Sequence, residues 1–279
     1  MLRNGGGLGK SYADPIMGAN RFETQMGAVL SFDEGMNARR FGLVSTNRIL
    51  TSLPKNILKV LQPSMKRVVI DQETYLFQPD DDPEYIYFPE TAAVSEFQIL
   101  EDGRMVEVAI IGREGAIGLS KLFCYTPIPN CVQVTQGGRA IRLCLAEARR
   151  LIRQKPETAF YFYPYIDTYI RQISQKTICN LYHTVKARFC TWLLMVQDRC
   201  DGPVLHLTHE QIARTLGVYR PRITCIAREL KRRNIIDYSR GGISICDRNG
   251  IEDSACHCYA EISDYIEHAR PGQSRLAAH

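Results

Sequence analysis

Residues Leu207 to Leu230 read LTHEQIARTLGVYRPRITCIAREL, and no other stretch restricts what this chain can fold into as tightly. Thr208 can cap a helix, Gln211 three residues on can reach back to complete a capping box, and Leu207 can staple onto Ile212. Ile212, Ala213 and Leu216 make the apolar stripe of that helix. Gly217 suits the left-handed residue that ends it, and Pro221 suits the first position of a following helix. In the second helix Ile223, Ile226, Ala227 and Leu230 share one face, leaving Arg222, Thr224, Cys225 and Arg228 to point elsewhere, with Tyr219 and Arg220 at the entrance. Two helices joined through Gly217-Val218-Tyr219-Arg220 have helix-turn-helix spacing. Any helical hairpin carries caps and stripes of this kind, so the pattern takes its meaning from its surroundings.

Directly after Arg233, Ile235-Ile236-Asp237-Tyr238-Ser239 alternates like a strand, Arg240-Gly241-Gly242 offers a turn, and Ile243-Ser244-Ile245-Cys246 alternates again. Helix, turn, helix and hairpin make a winged helix-turn-helix, whose second helix enters the DNA major groove while the wing lies beside the phosphates. The expected DNA contacts are Thr208, His209, Tyr219, Arg220, Pro221, Arg222, Thr224, Cys225, Arg228 and, on the wing, Arg240. Lys231, Arg232 and Arg233 read as phosphate contacts or solvated charge. The charge distribution agrees. Val185 to Arg248 holds 12 Lys/Arg against 6 Asp/Glu, whereas Phe41 to Thr184 holds 16 against 15, so the positive excess sits on the proposed reading head.

At 279 residues and 45% hydrophobic content the chain can build two domains and a sizeable core. It has no run of eighteen apolar residues and no signal-peptide core near its start, so it is expected to be cytoplasmic and not membrane-bound. None of the ten cysteines forms a CxxC pair, which suits reduced, buried thiols. Residues 1–40 are Gly-rich with little periodicity and read as a flexible tail in which Met17, Met26 or Met36 are alternative starts.

Between about 41 and 153 the pattern becomes short alternating runs: Arg67–Ile70, Glu84–Phe88, Met105–Ile110, Cys131–Val134 and Ala140–Leu143. Turn signals at Glu101-Asp102-Gly103 and Gly112-Arg113-Glu114-Gly115 interrupt them. This spacing predicts an antiparallel β-roll or jelly roll. From 156 to 184 Tyr163, Ile166, Ile170, Ile173, Thr177, Asn180 and Thr184 recur at steps of three and four, a coiled-coil seam that fits a dimerisation helix. A monomer would instead lay that helix along the barrel. Residues 185–260 form the winged helix-turn-helix, opening with a helix over Val185 to Arg199, and 261–279 read as a tail. The fold class is α+β. A homodimer on a palindromic operator explains how a short recognition helix gains affinity, because two copies address half-sites about one helical turn apart.

Barrel, long helix and winged helix-turn-helix in that order resemble the bacterial Crp/Fnr family of transcription regulators over about Asn47 to Tyr259. The resemblance is strongest at Leu207-Thr208, Leu216-Gly217-Val218, Arg220 to Arg228 and Ile243-Ser244-Ile245. Ile111 to Leu119, IGREGAIGL, is similar to the stretch in which members turn into a cyclic-nucleotide-binding-like cassette. The resemblance implies a transcription regulator, with RNA polymerase as a further partner, and places an effector pocket near Gly118, Leu119, Ser120, Asn130, Cys131 and Ser174.

Departures from the family pattern bear on the effector. Members that bind cyclic AMP carry Gly-Glu-Leu and then Arg-Ser, for the ribose and the phosphate. This chain has Gly118-Leu119-Ser120 and Pro127-Ile128-Pro129-Asn130-Cys131, with no basic residue to meet a phosphate. Iron–sulfur members carry N-terminal cysteines, and here none precedes Cys124. Cys124, Cys131 and Cys144 read as structural thiols, with a redox switch as the alternative. Cys256-His257-Cys258 looks like a metal fragment but, without a second cluster at ligand spacing, reads as the end of the last helix, so no metal or cofactor is expected and the effector is unassigned. In the recognition helix Arg220 matches the family's first base-reading arginine, Pro221 stands where Glu is usual, and Cys225 stands where a second Arg is usual. The operator should therefore differ from the familiar one. Other readings stay open: an effector-independent DNA-binding protein with a vestigial sensor, a regulator responding to a cyclic nucleotide or to thiol redox state, and an enzyme or metal protein with a DNA-binding-like appendage. The chain offers the enzyme reading no Gly-x-Ser-x-Gly elbow and no Gly-rich phosphate loop before a helix.

Overall fold

The computed structural model describes residues 30–31, 45–239 and 241–269. The chain enters through β1 (Leu30–Ser31), α1 (Arg48–Ser52) and α2 (Lys55–Leu61). It then forms β2 (Met65–Ile70), β3 (Tyr75–Phe77), β4 (Tyr85–Pro89), β5 (Ala93–Ile99), β6 (Met105–Ile111), β7 (Cys131–Gln136) and β8 (Gly138–Cys144). These pair antiparallel as two four-stranded sheets, β1-β2-β8-β4 and β3-β7-β5-β6, the expected β-roll. Val68, Ile70, Val94, Val132, Val134 and Ala140 fill the space between the sheets. A second core lies under α1, α2 and α3 (Leu145–Gln154). The fully buried Asn47 ties α1 to the roll: its Oδ1 accepts the N–H groups of Ile49 and Leu50, while its Nδ2 donates to Pro89 O at 2.9 Å and Gly115 O at 2.8 Å.

All five strands read from the sequence are present. Two further roll strands, β3 and β5, carry no alternation: β3 is three residues long, and β5 buries its first five residues on both faces, including Ser95 and Glu96. Within the expected tail, Leu30–Ser31 pairs with Val68–Val69 of β2. The rest of that tail, Arg240 and residues 270–279 lie outside the described residues.

Beyond the roll, a 3-10 segment over Pro156–Tyr161 leads into α4 (Tyr163–Tyr182). Then come α5 (Val185–Gln197), β9 (Val204–Leu205), α6 (His209–Leu216), α7 (Arg220–Arg232), β10 (Ile236–Ser239), β11 (Gly242–Ile245), α8 (Arg248–Ser254) and α9 (Cys258–His268). The last of these runs back along α4, with the Arg171 guanidinium 5.4 Å from the Tyr265 ring centre, so packed helix continues to His268 where a tail was expected from 261.

The face that α4 turns inward holds Thr168, Gln172, Gln175, Lys176 and Cys179. Opposite it, Tyr163, Ile170, Thr177 and Leu181 are exposed. Of the expected seam only Tyr163, Ile170 and Thr177 lie on this stripe: Ile173 is half-buried, and Thr184 lies beyond α4 as the cap of α5. Ile166 packs into the core beneath the roll, and Asn180 accepts a hydrogen bond from Arg188 Nη2 at 2.9 Å within the same chain.

Roll and C-terminal module are joined by buried polar contacts. Trp192 Nε1 of α5 donates to Glu107 Oε2 of β6 at 2.9 Å, and Arg199 Nε lies 2.7 Å from Glu114 Oε1. The Arg199 side chain crosses directly over Gly112, and Tyr165 of α4 crosses Gly115, where an added Cβ would fall inside contact distance. Both turns need glycine for this close approach.

Candidate nucleic-acid interface

Each local signal in Leu207–Leu230 has its physical counterpart. Thr208 caps α6, and the reciprocal bonds to Gln211 complete the capping box. Leu207 and Ile212 are both buried, as a staple requires. Gly217 ends α6 at φ 64°, a left-handed conformation that glycine adopts without strain. The next helix starts one residue earlier than read, at Arg220, with Tyr219 as its N-cap residue and Pro221 in the first turn, where its missing N–H costs nothing. Ile223, Ile226, Ala227 and Leu230 are buried in one core with Ile212, Ala213 and Leu216 of α6 and Phe189, Trp192 and Leu193 of α5.

What α7 leaves outside is the candidate interface. At about 100° per residue its exposed face centres on Pro221, Cys225 and Arg228, with Arg220 and Arg222 on the two flanks. Thr224 is half-buried: its hydroxyl donates to Arg220 O and accepts from His209 Nδ1 at 3.2 Å. The His209 ring meets Tyr238 of β10 edge-on, with centroids 5.1 Å apart. His209 thus braces α6, α7 and the wing. Partial burial, then the neighbouring Arg220 and Arg228 charges, lower its pKa and favour the neutral ring. Tyr219 is 87% exposed at the helix entrance and Thr208 is exposed at the start of α6.

The wing is a three-stranded sheet, β10-β11-β9, because Val204–Leu205 adds an edge strand. Its turn includes Gly241 at φ 82° and Arg240, which lies outside the described residues. Lys231 is held by the wing: its Nζ is 2.5 Å from Asp237 Oδ1 and 4.8 Å from the centre of the Tyr238 ring. Arg232 and Arg233 are exposed.

Between the roll and α4 lies a cavity of about 510 Å³. Of the expected effector residues, Gly118, Leu119, Ser120 and Asn130 line it. Cys131 and Ser174 fall outside the lining. Cys131 turns into a small cluster with Phe97 and Met105, and Ser174 sits on the outward side of α4 with its hydroxyl on Ile170 O. The remaining wall is mostly apolar: Phe77, Phe123, Ile128, Tyr165, Ile166, Tyr169 and Ile170, with Glu96 as the one carboxylate among the described residues. No lysine or arginine is among the described residues that line it. Burial raises the Glu96 pKa, against hydrogen bonds from Tyr169 and Asn130 that lower it.

Burial lifts the Cys131 thiol to about 11. Its strand β7 belongs to one sheet, while Cys144 ends β8 in the other. Cys256 and Cys258 do not close the last helix but precede and open it, and they meet Cys179 and His183 of the α4 end. Sequence reading passed over that pair, although a Cys and a His four residues apart at the end of a helix was the available signal.

Residues 187–254 match the family model of the Crp-like helix-turn-helix domain. This is a Crp-like helix-turn-helix domain on a Crp/Fnr fold. A Crp/Fnr-family transcriptional regulator of Eubacterium rectale superposes with a TM-score of 0.59 at 16% identity, over 75% of this chain and 97% of that one. FixK2 of Bradyrhizobium japonicum superposes with a TM-score of 0.58 at 15% identity, over 69% and 98%. The c-di-GMP-responsive global regulator CLP of Xanthomonas campestris does so with a TM-score of 0.56 at 13% identity, over 69% and 99%. Comparison with curated protein sequences finds no match. Among the described residues, no helix of this Crp/Fnr fold is long and apolar enough to cross a membrane.

Proposed function

We propose that this chain is a homodimeric, sequence-specific DNA-binding regulator of transcription, not an enzyme, working in the cytoplasm on palindromic double-stranded operators. One observation carries the reading: α7 of a Crp-like helix-turn-helix buries its apolar side in the core it shares with α5 and α6 and presents Arg220, Arg222 and Arg228 around an exposed face. Arg220 would address guanine, while Pro221 and Cys225 withhold the acceptor and the second donor common in the family. The outward stripe of α4 supplies the dimer contact, and RNA polymerase is the further partner that the family resemblance suggests. Selection from a random DNA pool tests the whole reading. It should return a two-fold symmetric site with half-sites about 10 base pairs apart, and recovery of single, asymmetric sites would overturn the dimeric reading.

The cavity beside α4 is the effector site in this proposal. Its aromatic wall and lack of cations suit an uncharged, largely apolar molecule that hydrogen-bonds Glu96 or Asn130, and disfavour a cyclic phosphate. Because Tyr165, Ile166, Tyr169 and Ile170 of α4 form one wall, an occupant would bias the dimer helix directly. An effector-independent regulator is the second reading, favoured by the Glu107–Trp192 and Glu114–Arg199 contacts that already dock the reading head on the roll. DNA affinity that responds to no small molecule, and to neither oxidant nor reductant, would select it.

A further inference from the structure

At the junction where α4 hands over to α5, four metal-ligating side chains meet. Cys179 and His183 come from the end of α4, Cys256 and Cys258 from the start of α9, and their ligand atoms all lie within 4.8 Å of one another. Cys179 Sγ is 3.5 Å from Cys256 Sγ, and Cys258 Sγ is 3.3 Å from His183 Nδ1. Tetrahedral zinc, with bonds of about 2.3 Å to sulfur and about 2.0 Å to nitrogen, sets its ligands about 3.5–3.8 Å apart. The cluster therefore has the size of a single ion, whereas an iron–sulfur cluster spreads its thiolates over several irons. Three thiols and one imidazole are a zinc donor set.

Buried cysteines also gather simply as small apolar side chains. Two features of the surroundings go beyond that. Gln175 Nε2 donates to Cys258 Sγ at 3.1 Å. The Thr191 hydroxyl accepts the Cys256 N–H at 3.1 Å, which leaves its own proton free to donate to Cys256 Sγ at 3.0 Å. Both thiols thus face donors, the environment that orients and stabilises metal-bound thiolates. Cys179, Cys256 and Cys258 are buried and His183 is half-buried, so the ligands are held before an ion arrives.

We propose that Cys179 Sγ, His183 Nδ1, Cys256 Sγ and Cys258 Sγ bind one zinc ion that clamps the end of α4 to the start of α9. His183 is the single extended residue between α4 and Thr184, the cap of α5. Coordination there fixes the backbone where the roll's long helix meets the reading head. The site is independent of what α7 binds.

The full-length chain, purified without chelator and analysed for metal, should carry about one zinc per chain. Cys179→Ser and Cys256→Ser should each lower zinc affinity at least tenfold, an effect on the order of that of losing a ligand-supporting contact or more, while Cys124→Ser and Cys225→Ser leave it unchanged. A ligand variant can fail to fold, so the wild-type chain provides the second measurement. After chelation, titration with cobalt should saturate at about one equivalent, with the visible bands of a tetrahedral thiolate complex that zinc then abolishes. Less than a tenth of an equivalent of zinc after reconstitution, a cobalt spectrum without thiolate bands, iron with acid-labile sulfide, or a Cys179–Cys256 disulfide in freshly reduced protein would each overturn the assignment.

Discussion

Lys176 Nζ of α4 sits 2.7 Å from Glu107 Oε1 of β6, with side chains 11% and 0% exposed. Glu107 Oε2 also accepts from Trp192 Nε1 of α5 and from Ser95 Oγ of β5. One buried carboxylate thus connects the roll, the long helix and the first helix of the reading head. Removing one partner of a buried pair leaves a desolvated charge behind and costs about 3–5 kcal/mol. Glu107→Ala should therefore lower the unfolding free energy by about that amount in urea titration, and a loss below about 1 kcal/mol would show that Lys176 and Trp192 find water instead.

The exposed arginines of α7 should matter for DNA and little for folding. Arg220→Ala and Arg222→Ala are each expected to weaken operator binding by about 1–3 kcal/mol in gel-shift titrations at fixed salt, with unfolding midpoints unchanged. Arg232→Ala, a phosphate contact at most, should instead weaken all sequences alike and reduce the salt slope by about one. Unchanged affinity in both Arg220→Ala and Arg222→Ala would remove α7 as the reading element.

Glu96 makes the roll sensitive to pH. Burial raises its folded pKa above 4.5, so the folded chain keeps a proton at pH values where the unfolded chain has released it. The stability this proton provides is complete below the unfolded value and is lost as pH rises through the folded one. Glu96→Gln should flatten that loss when urea midpoints of the two proteins are compared from about pH 4 to pH 8. Parallel curves for the two proteins would mean that Tyr169 and Asn130 stabilise the carboxylate as well as water does.

The outward side of α4 should hold two copies together. Ile170 is 57% exposed and Leu181 72%, in line with Tyr163 and Thr177. Ile170→Glu and Leu181→Glu should convert a dimer to a monomer in sedimentation at micromolar concentration while helix content by circular dichroism stays constant. A dimer that survives both substitutions would place the interface elsewhere.

The reading head was legible in the sequence because its determinants are short-range. Thr208 and Gln211 satisfy each other across one helical turn, Gly217 relieves a local backbone conformation, and the stripe Ile223, Ile226, Ala227, Leu230 follows from helical period alone. The alternating strands of the roll were legible for the same reason. β5 was not, because a strand covered on both faces loses its alternation, and Leu30–Ser31 offers too few residues for any period to show.

Cys131 and Ser174 illustrate the next limit. Each lies near the cavity along the chain, but a strand sends successive side chains to opposite faces and a helix turns about 100° per residue, so proximity in sequence does not decide which side a group faces. The seam shifted for a related reason: Asn180 found Arg188 inside its own chain.

By itself the sequence determined the helix-turn-helix, its wing, the antiparallel roll and the exposed arginines of α7, all set by caps, turns and periods spanning a few residues. The tertiary structure alone decided that Glu107 would serve three elements and that Cys179 would stand 3.5 Å from a cysteine 77 positions away. Such meetings depend on how helices and sheets pack, and packing is a property of the whole buried surface that no local spacing encodes.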